Sequence, residues 1–297
     1  MAISTKLIKM QLAAFKPFVG NLPLEAVRKG QDTIGQLLVS MHHGNLSYEE
    51  KKFEAFEGVW AIPEHADPDG VVLFLHGGGY IAGDLQYAKG AGSIFADKNQ
   101  ISVFCPAYRL APEAPYPAAL QDALTAYQWL LEQGYGKKII VAGESAGGGL
   151  AYALCLRLRA LGLEMPAGVV GISPWTDLTA SGGSYEENKE CDPSMTKERL
   201  AFYAAAYAGG EIQNPYVSPL LGDLRGMPPS LLFAGGDEVM LDDARLLHEK
   251  LTAAGCESRL HVAPGMWHVY VLYCVPETRE DYDRIGRFIR EVLDHEA

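Results

Sequence analysis

Six short apolar runs, at 71–75, 101–105, 139–142, 169–172, 231–234 and 259–262, each end in Gly, Pro or a polar turn. Runs of four or five β-prone residues bounded in this way fit strands buried on both faces. Helical patterns lie between most of them, at 117–131, 146–161, 241–254 and 280–293. Such alternation predicts an α/β fold, with a mostly parallel central sheet and helices on both faces. A further strand is expected within 53–61. Two stretches break the rhythm. Residues 1–45 read as short amphipathic helices interrupted by Pro17, Pro23 and Gly30. Residues 181–213 are polar at first, then rich in aromatic residues and Ala, and read as an insertion into the strand–helix series.

Composition excludes several classes. The 297 residues carry 25 Lys+Arg against 37 Asp+Glu, a net charge of −12. Nucleic-acid binding needs a basic face, and docking on anionic membranes needs a basic patch, so neither partner is expected. Lys6, Lys9 and Lys16 interrupt any signal-peptide core, and no 18-residue apolar run exists. The five Cys (Cys105, Cys155, Cys191, Cys256 and Cys274) show no paired spacing. They fit reduced thiols in a cytoplasmic protein. No cluster of His, Cys or carboxylates has metal-ligand spacing, so no metal and no cofactor is expected.

Gly143-Glu144-Ser145-Ala146-Gly147 follows the run KIIVA directly and opens the helical pattern 148–159. A G-x-S-x-G between a strand and a helix marks a nucleophilic serine on a sharp turn, with its hydroxyl exposed. His76-Gly77-Gly78-Gly79-Tyr80 follows the run VVLFL. Consecutive glycines there let backbone N–H groups approach a developing oxyanion. Gly77 and Gly78, with Ala146 as a third donor, are the expected oxyanion hole. His76 precedes the glycines and reads as an orienting residue rather than a base.

The serine needs a base and the base an acidic partner, in the chain order Ser, acid, His. Of His248, His261, His268 and His295, only His268 lies in a Pro/Gly loop after the last strand, and it is the expected base. The stretch after 231–234 offers Asp237, Glu238, Asp242 and Asp243. Asp237 comes first after the Gly235-Gly236 turn and is the expected acid, with Asp242 as runner-up.

These motifs resemble the hormone-sensitive-lipase-like carboxylesterases, the bacterial HGGG-type members of the α/β-hydrolase fold. The matching stretches are HGGGYIAGD (76–84), YRLAPEAPYPAALQDA (108–123), GESAGGGLA (143–151), SPWTDL (173–178), NPYVSPL (214–220), GDEVMLDDA (236–244) and GMWH (265–268). They run in the family's order from about residue 55 to the end. Two departures are Glu144, where many members have Asp, and EVMLDD after Asp237, where a commoner form is close to DPLxDE. The resemblance implies a Ser145–Asp237–His268 triad and an oxyanion hole of Gly77, Gly78 and Ala146. It also implies a catalytic domain of 46–180 and 214–297, with a helical cap of 1–45 and 181–213. Within the matching 108–113 stretch, Arg109 and Glu113 are expected to pair and organise their loop.

The expected activity is hydrolysis of a small-molecule ester with short-to-medium acyl chains through an acyl-enzyme. Tyr80, Trp175, Phe202, Tyr203 and Tyr207 are expected to wall the substrate pocket, although packing alone would also account for the aromatics at 202, 203 and 207. An amide, carbamate, thioester or lactone would use the same machinery. A ligand-binding receptor on this fold would be expected to carry a damaged triad, and here all three residues are present. Stable membrane association is not expected. A homodimer through the last strand, near 258–262, competes with a monomer.

Overall fold

The computed structural model describes residues 4–19, 22–42 and 46–294. The expected cap segment therefore lies outside the described residues at 1–3, 20–21 and 43–45, as does His295. Eight strands form one sheet: β1 (Leu46–Lys52), β2 (Glu57–Pro63), β3 (Asp67–Leu75), β4 (Ile101–Ala107), β5 (Ile139–Glu144), β6 (Gly168–Ile172), β7 (Ser230–Gly235) and β8 (Ser258–Ala263). Their spatial order is β1-β2-β4-β3-β5-β6-β7-β8. β1 and β2 run antiparallel, β2 meets β4 antiparallel, and every later pairing is parallel.

All six apolar runs lie inside these strands. The stretch 53–61, in contrast, is a hairpin end rather than one strand. Phe53 donates its N–H to the Phe56 carbonyl at 2.9 Å, and their rings stack at 4.4 Å between β1 and β2. β1, with the sequence LSYEEKK, was not legible as an apolar run. It is an edge strand whose charged residues face water, which protects an open edge from pairing with other chains.

Alternate residues along each parallel strand enter opposite halves of the core. Val71, Leu73 and Leu75 of β3 join the layer containing α4 (Ala118–Glu132), α5 (Ala146–Leu161) and α8 (Leu241–Ala253). Val72 and Phe74 join the layer containing α3 (Leu85–Asn99) and α9 (Arg279–Asp294). α9 buries Tyr282, Ile285, Phe288, Ile289 and Val292 at helical spacing, with Asp281 buried beside them, and exposes Glu280, Asp283, Arg287 and Arg290.

Register decides where the chemistry can occur. Gly143 of β5 stands opposite both Leu75 of β3 and Gly171 of β6. Ile172 of β6 stands opposite Phe233 of β7, and Gly235 of β7 opposite Ala263 of β8. The strands therefore stop at one level, and the loops after β3, β5, β6, β7 and β8 share one edge of the sheet.

Four helices lie outside the strand–helix repeat: α1 (Thr5–Val19), α2 (Leu24–His42), α6 (Ser184–Glu187) and α7 (Lys197–Ala208). α2 lies on α3 at a glycine crossing. A Cβ on Gly35 would come within 2.4 Å of the Gln86 carbonyl, and one on Gly90 within 2.5 Å of the Gly35 carbonyl. Arg28 of α2 donates to Glu113 at 2.7 and 2.9 Å, to the Ala111 carbonyl at 2.9 Å and to the Ile81 carbonyl at 2.7 Å. This guanidinium holds the Glu113 carboxyl down at about 2. The expected Arg109–Glu113 pair is thus replaced by two others. Arg109 grips Asp122 with Nη2–Oδ1 at 2.7 Å and Nε–Oδ2 at 3.0 Å, because Asp122 on α4 faces the loop.

Phe288 packs under the sheet with a ring carbon 3.0 Å from where a Cβ on Gly168 would sit. Phe288→Ala is expected to lower unfolding free energy by about 3–5 kcal/mol, measured by urea titration, with no change in the strand order.

Candidate active site

Ser145 takes φ 54° and ψ −123°, a left-handed conformation that strains a residue with a Cβ. Backbone bonds on both sides hold it there. Its N–H donates to the Ile172 carbonyl at 2.9 Å, and its carbonyl accepts from Trp175 N at 2.9 Å and Gly149 N at 3.1 Å. The glycines of the motif are demanded by close approach. A Cβ on Gly147 would sit 2.0 Å from the Leu75 carbonyl, and one on Gly143 2.3 Å from the Gly147 carbonyl.

His268 follows β8 on a loop anchored by Val269 N, which donates to Ser173 Oγ at 3.0 Å. Its Nε2 lies 2.8 Å from Ser145 Oγ and its Nδ1 2.7 Å from Glu238 Oε2. The assignment that satisfies both contacts puts the ring proton on Nδ1, donating to the carboxylate, and leaves Nε2 to accept from the serine hydroxyl. Burial works against the charged imidazolium. The Glu238 hydrogen bond and charge, with Asp192 and Glu144 beyond, outweigh it and raise the His268 pKa above the ordinary histidine value.

The carboxylate at His268 is Glu238, not the expected Asp237. After β7 the chain turns at Gly235-Gly236 against the β8 loop: Gly236 N donates to the Ala263 carbonyl at 2.8 Å, and Asp237 N to the Met266 carbonyl at 2.9 Å. Glu238 N then turns back toward the Gly235 carbonyl at 3.3 Å. This turn sends Asp237 outward, where its Oδ2 meets Lys9 Nζ at 2.5 Å. Glu238 is fully buried, and both its oxygens are satisfied: Oε2 by His268 and Oε1 by Gly235 N at 2.9 Å. The longer Glu side chain folds back over the strand end. The runner-up Asp242 instead accepts from Ser184 N at 2.9 Å, and Asp243 holds Thr176 N and Asp177 N, both at 2.8 Å.

The other histidines are engaged elsewhere. His248 Nδ1 lies 2.9 Å from Ser258 Oγ, and His261 Nε2 lies 3.3 Å from Asp281. His76 stacks on Tyr108 at 4.1 Å and sits 2.7 Å from the Gly77 carbonyl. Burial depresses its pKa to about 4, so it is neutral and orients the glycine loop.

Gly77 was an expected oxyanion donor, but its N–H is already taken by the Glu144 carboxylate. Glu144 is buried and also accepts from Tyr87 Oη at 3.0 Å. Burial raises its pKa, and the Gly77 N–H, His268 and Tyr87 pull it back. Among the described residues, the N–H groups of Gly78, Gly79 and Ala146 have no acceptor. Gly79, missed in the sequence, has φ 64° beside Gly78 at φ 110°.

Four of the five expected pocket aromatics gather beside this loop. Tyr80 stacks on Tyr207 at 3.7 Å and lies 6.1 Å from Trp175, all three fully buried. The Tyr203 ring covers Gly79, so close that a Cβ there would come within 2.4 Å of it. Phe202 does not join them. One position along α7 from Tyr203, it points outward and is 62% exposed. Among the described residues, no group of three or more His, Cys, Asp or Glu could hold a metal ion, and no helix is long and apolar enough to cross a membrane.

Comparison with known proteins identifies the fold and the family. The family described as alpha/beta hydrolase fold matches residues 72–272. An acetyl-hydrolase of Streptomyces hygroscopicus is 39% identical over 235 residues, 78% of each chain. An esterase of Acinetobacter venetianus is 34% identical over 232 residues, 76% of this chain and 77% of its own. Among solved structures, an esterase from the bacterial hormone-sensitive lipase family superposes with a TM-score of 0.89 at 37% identity, covering 99% of this chain and 100% of that one. The chain belongs to the α/β-hydrolase family, among the hormone-sensitive-lipase-like carboxylesterases, and is a carboxylic-ester hydrolase.

Gly147→Ala is expected to cut kcat by on the order of 10²-fold on a p-nitrophenyl ester, because relieving the clash with the Leu75 carbonyl displaces the serine turn. Steady-state kinetics on folded variant check this.

Proposed function

We propose that this chain hydrolyses short-to-medium acyl esters through an acyl-enzyme, with Ser145 as nucleophile, His268 as base and Glu238 as acid. The observation that carries the reading is the unbroken relay from Ser145 Oγ through His268 to the buried Glu238 carboxylate. Ser145 Oγ attacks the ester carbonyl while His268 Nε2 takes its proton. Gly78, Gly79 and Ala146 N–H groups receive the oxyanion, since the Gly77 N–H is spent on Glu144. His268 then protonates the departing alcohol, and water attacks the acyl-enzyme by the reverse proton route. Glu238 keeps the imidazole in the required tautomer and stabilises the imidazolium.

The segments 1–45 and 181–213 form the cap over 46–180 and 214–297 in this reading. Tyr203 and Tyr207 of α7 reach the glycine loop, and Arg28 of α2 binds the 108–113 loop. Tyr80, Trp175 and Tyr207 pack together and are buried beside the glycine loop, and a pocket walled by them favours short acyl groups. The acetyl-hydrolase among the relatives and the esterase EstE5 point the same way. EstE5 was soaked with p-nitrophenyl butyrate and superposes at TM-score 0.90 and 33% identity over 97% of each chain. The five unpaired thiols fit a cytoplasmic setting. β8 ends the sheet and is the edge where a second copy would add, which sedimentation tests.

A series of p-nitrophenyl esters of rising acyl length tests the substrate class, with activity expected to peak at short chains. Substantial turnover by Ser145→Ala would reject the mechanism, and an organophosphate that left Ser145 unlabelled would favour a ligand-binding role. Glu238→Gln is expected to lower kcat by about 10³–10⁴-fold by losing the tautomer control that Glu238 supplies. Asp237→Asn should fall far less, since its carboxylate does not touch His268. His268 must be neutral to accept a proton, and its pKa is raised. The acid limb of kcat/KM should therefore fall away above the pH of an ordinary imidazole. In Glu238→Gln the residual activity should persist to lower pH.

A further inference from the structure

We propose that Lys9, on α1, is a positioning residue for the acid–base pair, a strap that ties the acid turn to the histidine loop from outside the sheet. This rests on the assignment of Glu238 and His268 made above.

The single ammonium of Lys9 makes two contacts on different loops. It meets Asp237 Oδ2 at 2.5 Å and the Gly265 carbonyl at 2.9 Å. Asp237 is covalently next to Glu238, and Gly265 lies three residues before His268. One cation therefore bridges the two turns whose separation sets the His268–Glu238 distance. The same acid turn is gripped from its other side by the 184–195 segment. Asn188 Nδ2 donates to the Gly236 and Glu238 carbonyls at 3.2 and 2.9 Å, and Asp192 Oδ2 accepts from Val239 N at 2.8 Å. α1 reaches that segment as well, for Lys16 Nζ donates to the Lys189 carbonyl at 2.9 Å and the Asp192 carbonyl at 2.5 Å. Glu238 thus sits between backbone groups held by chain from outside the strand–helix repeat.

The strap has little to do with global stability. Lys9 and Asp237 side chains are 35% and 27% exposed, and pairs this open to water contribute little to folding. What the pair can set is geometry. A displacement of the carboxylate by an ångström costs catalysis far more than it costs folding.

The test compares Lys9→Met, Lys9→Arg, Lys6→Met and Glu238→Gln. kcat and KM are read on p-nitrophenyl butyrate. The rate of Ser145 modification by diisopropyl fluorophosphate is read by intact mass, and Tm is measured alongside. Lys9→Met is expected to lower kcat and the labelling rate together, each by about 5- to 20-fold, with KM and Tm near wild type. Lys9→Arg keeps the charge and donors and should recover most of both losses. Lys6→Met, an exposed lysine of the same helix, should match wild type. The proposal is overturned if Lys9→Met leaves kcat and labelling unchanged, if the loss falls only in KM or Tm, or if Lys9→Arg is as slow as Lys9→Met. Should Lys9→Met not fold, Asp237→Asn breaks the same pair from the other side and is read by the same criteria. An inert Lys9 beside a crippled Glu238→Gln rejects only the strap, whereas an active Glu238→Gln rejects the acid assignment beneath it.

Discussion

The left-handed turn at Ser145 is the constraint on which the rest of this structure depends. Holding φ at 54° on a residue with a side chain costs energy, and nothing within the motif supplies it. The turn is stabilised by neighbours, the Ile172 carbonyl at the end of β6 and the Trp175 N–H beyond it, and it fits only because Gly147 has no Cβ to meet the Leu75 carbonyl of β3. Each stands where it does because parallel register aligns Leu75, Gly143 and Gly171 in one row. The buried sheet is thus the device that holds the strained serine turn in place.

Around that turn, buried carboxylates do the organising. Glu238 holds the imidazole, Glu144 holds the glycine loop through Gly77, and Asp243 holds the Thr176–Asp177 backbone beside Trp175. A buried carboxylate is tolerated only when it is hydrogen-bonded, and each of these three accepts from backbone N–H groups or side-chain donors. The serine turn, imidazole and glycine loop are therefore positioned by carboxylates packed around them. The helices outside the repeat take part, with Tyr203 over Gly79, Arg28 on the 108–113 loop and Lys9 on the acid turn.

Much of this was legible in the residues. Apolar runs closed by turn residues located six strands, because a strand buried on both faces must be continuously apolar. The glycine spacing located the serine turn, and a Pro/Gly loop after the last strand singled out His268. β1 was not legible, since its water-facing edge carries the same charges that a loop would. The choice between Asp237 and Glu238 was not legible either. Adjacent residues in a turn point in different directions, and the direction was set by bonds to the β8 loop some thirty residues away. Gly77 and Gly79 posed the same problem, because their N–H groups differ only in which one Glu144 occupies.

The residues alone determined the alternation of the six buried strands with their helices, the serine turn and the histidine loop after the last strand, since these follow from periodicity and from the few backbone shapes that glycine and proline permit. Tertiary structure alone decided which carboxylate faces the imidazole, which glycines keep a free N–H, and that Phe202 faces water while Tyr203 covers the glycine loop. Those outcomes depend on side-chain direction and on competition for hydrogen-bond donors between segments distant in the chain, and no local pattern along the sequence carries either.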